Sequence, residues 1–157
     1  MAEPRRFGRY EVSILHDGWF EAPAGVLTHT AGVQARRETV RRWGAPTIRI
    51  PVNCFLLRGE DGITLVDAGT GTAWGEAYGH ARTALRDLGV APPDVRHVLL
   101  THLHGDHALG LVDGEAPYFR NAEIVLPAAD LAHFGDEAQR AATPKARQGG
   151  FDVAATL

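Results

Sequence analysis

The stretch Val98-Leu99-Leu100-Thr101-His102-Leu103-His104-Gly105-Asp106-His107 decides how the chain is read. Its first three residues form a short apolar run of the kind found in buried strands. Three imidazoles and a carboxylate follow at once. On an extended backbone His102 and His104 are two residues apart and point the same way, while Leu103 between them faces the core. Gly105 lets the chain turn sharply, so that Asp106 and His107 open a new segment with a different aim. That geometry suits two neighbouring metal ions, with one pair of ligands for each. Imidazole and carboxylate are ordinary zinc ligands, and paired ions ~3.5–4 Å apart are a recurrent hydrolytic arrangement. The competing reading is a polar loop of solvated histidines. With 8 histidines in 157 residues, the four positions coincide by chance roughly once in 800 such chains, which favours the metal reading.

Upstream, Cys54-Phe55-Leu56-Leu57 and Ile63-Thr64-Leu65-Val66 read as a hairpin closed by Gly59-Glu60-Asp61-Gly62. A helix is expected from about Trp74 to Leu88, with Ala77, Ala81, Ala84, Leu85 and Leu88 on one face and Gly89 as its stop. Strand Ile63–Val66, this helix and strand Val98–Leu100 make a β-α-β unit, whose crossover places the strands parallel. Both strands then finish at one sheet edge, the first in Asp67-Ala68-Gly69 and the second in Thr101-His102. Sites on such sheets gather at the carboxyl ends of strands. Asp67 is thus expected to support the histidine turn by accepting a hydrogen bond from a ligand imidazole, and Thr101 to do likewise through its hydroxyl.

Elsewhere Tyr10 to His16 alternates as a half-buried strand, followed by Asp17-Gly18 as a hairpin-type turn. Ala35 to Trp43 suggests a short helix with Glu38 four residues before Arg42. Ala122 to Leu126 reads as a strand and Ala128 to Phe134 as a helix, while the tail from Gly135 has weak periodicity and receives no element. Cys54 is expected to be inert core, and the cluster Arg36, Arg37, Arg41 and Arg42 a solvated face.

Composition narrows the chemistry. Hydrophobic residues make up 45% and charged residues 22%, ordinary values for a soluble globular protein of single-domain size. A formal charge of -3 lacks the basic footprint of a nucleic-acid binder. One cysteine excludes an internal disulfide and a Cys-rich zinc module. Ser13 is the only serine and sits in no nucleophile elbow. Lys145 is the only lysine and follows no phosphate loop. Gly69-Thr70-Gly71-Thr72-Ala73-Trp74-Gly75 misses the dinucleotide spacing, its third glycine falling one place late. The start, Met1 to Arg6, carries no apolar core behind it, and no run approaches a membrane span, so the expectation is a cytoplasmic protein.

The run Thr101 to His107 resembles the His-x-His-x-Asp-His signature of the metallo-β-lactamase superfamily, and Leu65-Val66-Asp67-Ala68-Gly69 resembles the strand-end motif that precedes it there. Pro51-Val52-Asn53, Gly110-Leu111 and Phe119-Arg120-Asn121-Ala122-Glu123 fit the same pattern, and the similarity runs from about Tyr10 to Phe134. The resemblance implies an α+β, αββα sandwich and a hydrolase with one or two zinc ions. It assigns His102 and His104 to the first metal, Asp106 and His107 to the second, and Asp67 to the supporting shell. In such a site a zinc-bound hydroxide attacks an ester, lactone or thioester carbonyl of a small-molecule substrate, with Asp106 both ligating and orienting the nucleophile. Manganese, iron or cobalt could replace zinc.

The resemblance covers only the N-terminal half of such a domain, so residues 1–157 read as a single partial domain. Family members bring a third histidine for the first metal, a bridging carboxylate and a last histidine from their second half. His133, the only histidine after the signature, comes too early to match. Each metal therefore keeps two protein ligands here, and residues 1–157 alone are expected to bind little zinc and hydrolyse no lactone. An apolar sheet face is expected to lie open. The alternative reading is a non-catalytic metal-binding fragment, or a subunit completed by a second copy or a complementing chain.

Overall fold

Alternation of apolar residues along the strands builds the frame. In order the chain forms β1 (Arg5–Phe7), β2 (Tyr10–Pro23), α1 (Val33–Trp43), β3 (Thr47–Gly59), β4 (Gly62–Val66), α2 (His80–Asp87) and β5 (Val95–Leu99). There follow α3 (Gly105–Ala108), β6 (Val112–Asp113), β7 (Ala116–Pro117), β8 (Glu123–Val125), α4 (Ala128–Phe134), α5 (Glu137–Ala142) and α6 (Gly149–Thr156). This computed structural model describes residues 3–157. Met1 and Ala2, where the reading of the start as free of a leader begins, lie outside the described residues. No helix among the described residues is long and apolar enough to cross a membrane.

Six strands form one sheet in the order β1-β2-β3-β4-β5-β8. β3 and β4 are the expected antiparallel hairpin, with Leu56 opposite Leu65 and Gly59 opposite Gly62. β4 and β5 pair in parallel, as the crossover through α2 requires, and β8 extends that parallel edge. The architecture is α+β. Leu15, Cys54, Leu56, Leu65 and Val98 point to one face and pack under Ala81 and Leu85 of α2. By the strand registers, the opposite face carries Phe55, Leu57, Val66, Leu99 and Val125. Leu99 is 37% and Val125 45% exposed, so the expected open apolar face is present.

The chain divides into two compact units, one comprising the chain up to Gly18 together with Val52–Leu157 and the other Trp19–Pro51. In the smaller unit α1 matches the expected helix, and Arg42 pairs with Glu38 at 2.7 Å. Arg49 stacks over Trp19 at 4.7 Å from the ring centroid.

Three expectations need correction. Asp17-Gly18 is no turn: β2 runs straight through it, because the Asp17 carboxylate bonds to distant backbone instead of its own. The helix expected from Trp74 begins only at His80, since Gly75 and Gly79 adopt left-handed φ of 79° and 78°. The tail does fold, into α5 and α6. Asp136 caps α5 by accepting from Ala138 N and Gln139 N, and Phe151 and Val153 of α6 are buried. Its apolar positions are too few and too interrupted by glycine for periodicity to reveal them.

Candidate metal centre

The site grows out of adjacent ends of two parallel strands. β4 stops at Val66, and Asp67 next to it has φ 60°, the one positive value for a non-glycine among the described residues. Such a conformation costs of order 1–3 kcal/mol and persists only where the surroundings enforce it. Here Asp67 N donates to Leu99 O at 2.9 Å, which turns the carboxylate toward the segment leaving β5. Asp67, 3% exposed, accepts from Thr101 N at 2.8 Å and from the Thr101 hydroxyl at 2.9 Å and 3.0 Å. It also accepts from His107 Nδ1 at 2.8 Å.

His102 to His107 form a compact turn entering α3. The His102 ring centroid lies 4.5 Å from that of His104 and 4.0 Å from that of His107. Leu103 is buried as expected, and its N–H donates to Asp130 Oδ2 at 2.9 Å. Gly105 serves differently from the expectation. Its φ is not left-handed; a side chain there would meet the Trp74 ring at 3.0 Å, so glycine allows close packing rather than a sharp bend. Ala68 N donates to His107 O at 2.7 Å and Gly110 N to Gly69 O at 2.8 Å, clamping α3 to the end of β4.

The donor chemistry fits a divalent ion in kind. A carboxylate only accepts, so His107 donates Nδ1–H to Asp67. Its Nε2, 3.4 Å from Asp106 Oδ2, is the nitrogen that offers a lone pair to a metal once the ring gives up its second proton. The Thr101 hydroxyl donates to Asp67 and lies 3.0 Å from His102 Nδ1, which leaves Nε2 of that ring available too. Holding the far nitrogen of an imidazole in this way fixes its tautomer and orientation for a metal. Number is another matter: among the described residues, no group of three or more His, Cys, Asp or Glu side chains is placed to hold an ion.

The electrostatics follow the geometry. Burial opposes the charged form of His107, but the Asp106 and Asp67 carboxylates outweigh it and carry the pKa up to about 9. Burial, with the neighbouring His107 and His104 rings, pushes His102 below the usual imidazole value. Burial raises the Asp106 carboxyl, yet the bond and charge of His107 hold it below the ordinary range. Burial likewise raises the Cys54 thiol, in keeping with an inert core residue.

Beside the turn lies a cavity of about 480 Å³ lined by Trp74, His104, Asp106, Leu109, Arg147 and Val153 among others. Sequence reasoning brought His102, His104, Asp106, His107, Asp67 and Thr101 together, and the structure juxtaposes all six. It missed Asp130 and Trp74, and it took Asp17 for a turn former rather than a residue bordering the groove. Asp130 and Trp74 carry no local pattern. The signal for Asp17 was a carboxylate on the inward face of an alternating strand.

The site is thus a parallel β-α-β edge of an α+β protein, with imidazoles and carboxylates at its carboxyl end. Residues 47–153 match the family model of the Metallo-beta-lactamase superfamily, and the chain belongs to that superfamily. N-acyl homoserine lactonase AiiB of Agrobacterium fabrum (strain C58) is 27% identical over 125 residues, covering 68% of this chain and 42% of that protein. The crystal structure of hydrolase AbOPH in the beta lactamase superfamily superposes with TM-score 0.82 at 24% identity, over 98% of this chain and 54% of that one. AidC, a dizinc quorum-quenching lactonase solved with a homoserine product, gives TM-score 0.81 at 22% identity, over 98% of this chain and 56% of that one. The chain thus spans about half the length of these proteins, and the two structures speak for the fold.

Proposed function

We propose that this chain supplies the metal-ligating turn of a zinc-dependent hydrolase that cleaves an ester, lactone or thioester by attack of water on the carbonyl carbon. One observation carries the reading. His102, His104, Asp106 and His107 gather at the carboxyl end of the sheet, with the Nδ1 sides of His102 and His107 committed to Thr101 and Asp67. His102 and His104 would hold one ion, and Asp106 and His107 a second. When bound, such an ion polarises a carbonyl and lowers the pKa of water toward about 7. Asp67 and Thr101 keep the imidazoles in one tautomer and orientation. Asp106 accepts a hydrogen bond from the attacking water and aims it. Trp74, Leu109 and Val153 wall the adjoining cavity, where they exclude bulk water and take the apolar part of a small substrate. The lactonases AiiB and AidC support lactones within the proposed substrate class. The net charge of -3 favours a small molecule over nucleic acid.

Zinc titration of the purified protein, read by competition with a chromophoric chelator, tests the reading alongside hydrolysis of an acyl homoserine lactone, an aryl ester and a thioester. Zinc uptake should fall in His102→Ala and His107→Ala. Any turnover should stop with chelator and return with zinc. Hydrolysis indifferent to chelation, or zinc uptake unchanged in the variant lacking all four donors, would overturn it.

A further inference from the structure

β2 carries a carboxylate that the hydrolytic reading leaves unused. Asp17 is fully buried, and its carboxylate reaches across to a different part of the chain. Oδ2 accepts from Thr70 N and from the Thr70 hydroxyl, both at 2.9 Å, and Oδ1 accepts from Ala81 N at 3.0 Å. These donors are the two ends of one loop. Between them the chain leaves the site edge after Gly69, passes through Trp74 and returns to start α2. Its neck is tight: a side chain on Gly79 would lie 2.1 Å from Gly71 O. A compact loop with adjoining ends held by its own packing is an Ω-type element.

Helix α2 lacks a cap of its own. Gly79 at its start offers no side chain, so Ala81 N–H is one of the unpaired donors every helix start exposes. Asp17 satisfies it from another strand and places negative charge at the helix N-terminus, where the dipole favours it. One carboxylate therefore closes the neck and caps the helix at once. What the loop presents is Trp74, 40% exposed, set against Gly105 of the histidine turn and edge-to-face with Tyr78 at 5.5 Å between centroids.

We infer that Asp17 is a positioning residue. By clasping Thr70 and Ala81 it fixes the loop between them, and so sets Trp74 as the apolar wall of the cavity beside the metal-ligating turn. The clasp is read from geometry alone; its effect on catalysis rests on the hydrolase reading above. An amide cannot replace the carboxylate, because Asn has one accepting oxygen for two sides of the neck and turns its NH₂ donor on the other.

Hydrogen exchange of Asp17→Asn tests this, with Thr70→Val, which removes only the hydroxyl bond, as the milder variant. Exchange over residues 70–81 should quicken about tenfold or more in Asp17→Asn and about threefold in Thr70→Val, while β5 amides keep wild-type protection. In a Trp19→Phe, Trp43→Phe background, acrylamide should quench Trp74 emission about twofold more strongly once Asp17 is changed. Unaltered exchange over 70–81, or equal acceleration throughout the sheet, overturns the clasp. In zinc-loaded protein that hydrolyses a lactone, Asp17→Asn should raise KM about fivefold and leave kcat within about twofold. A fall in kcat with unchanged KM overturns the link to the Trp74 wall. Should residues 1–157 hydrolyse no lactone, as two protein ligands per metal lead one to expect, exchange and quenching alone decide the clasp.

Discussion

Asp67→Asn isolates the group that ties strand end, threonine and imidazole together. The carboxylate accepts from Thr101 N at 2.8 Å, from the Thr101 hydroxyl at 2.9 Å and 3.0 Å, and from His107 Nδ1 at 2.8 Å. An amide of the same shape retains one acceptor oxygen. If that oxygen keeps Thr101 N–H, the NH₂ faces His107 Nδ1–H, donor against donor; if the amide flips, Thr101 loses its partner. Either way one charge-assisted bond, worth about 1.5–3 kcal/mol, disappears in a buried setting. The left-handed conformation of Asp67 is retained, since Asn tolerates it, so backbone strain adds little to the difference. A loss of about 2 kcal/mol should lower Tm by roughly 4–8 °C for a chain of this size. His107 is also released from its fixed tautomer, and loss of such an outer partner weakens metal affinity about 10–100-fold. Calorimetric zinc titration with long-range proton–nitrogen spectra of the imidazoles reads both effects. Wild-type zinc affinity together with an unchanged Nδ1–H signal for His107 would falsify the view that Asp67 orients this ring.

Other outcomes follow from packing. Gly110→Ala places a Cβ 1.9 Å from Ala68 O, so α3 must move off the end of β4. The urea midpoint should drop by more than the about 1–3 kcal/mol of ordinary overpacking, and an unchanged midpoint would deny the close approach. Leu65→Ala, at a buried core position, should cost about 2–5 kcal/mol. Leu131→Ala, 57% exposed on α4, should stay within about 0.5 kcal/mol; equal losses for the two would contradict the assigned core. Asp130→Ala strips the Leu103 N–H of its acceptor and should cost about 1–2 kcal/mol in denaturant unfolding, with a smaller loss of zinc affinity than Asp67→Asn.

Where chemistry and local pattern coincide, the sequence is transparent. The β3–β4 hairpin was legible from its Gly-flanked turn. The parallel pairing of β4 with β5 followed from the intervening helical stretch, even though α2 proved shorter than its small-residue periodicity suggested. The histidine turn stood out because its four donors lie within six positions behind an apolar strand. Long-range contacts were opaque. Asp17 looked like a turn former because Asp-Gly is a strong local signal, and only the distant Thr70 and Ala81 donors make an extended backbone the better solution. Asp130 is one more helix carboxylate until the Leu103 amide is seen to meet it. Gly105 and Gly110 are equally mute, since what excludes a side chain at each is a neighbour remote in the chain: the Trp74 ring for one, Ala68 O for the other.

The histidine turn is fastened from both sides by the fold itself, and under the proposed metal-ligating role this has a thermodynamic consequence. His107 O accepts from Ala68 N at 2.7 Å, Gly69 O accepts from Gly110 N at 2.8 Å, and Leu103 N donates to Asp130 at 2.9 Å. Backbone placement of His102 to His107 is therefore set by folding, and an ion has only side-chain torsions left to fix. In small zinc modules, by contrast, binding and folding are one event. Weak zinc binding by this chain should then reflect too few donors per ion rather than the cost of ordering the turn. Adding zinc should move imidazole resonances while leaving backbone exchange over 101–111 within about twofold, with a heat-capacity change near zero because no apolar surface is newly buried. A gain of tenfold or more in protection across 101–111, or a large negative heat-capacity change, would show that the metal builds the turn, and the preformed clamp would have to be abandoned.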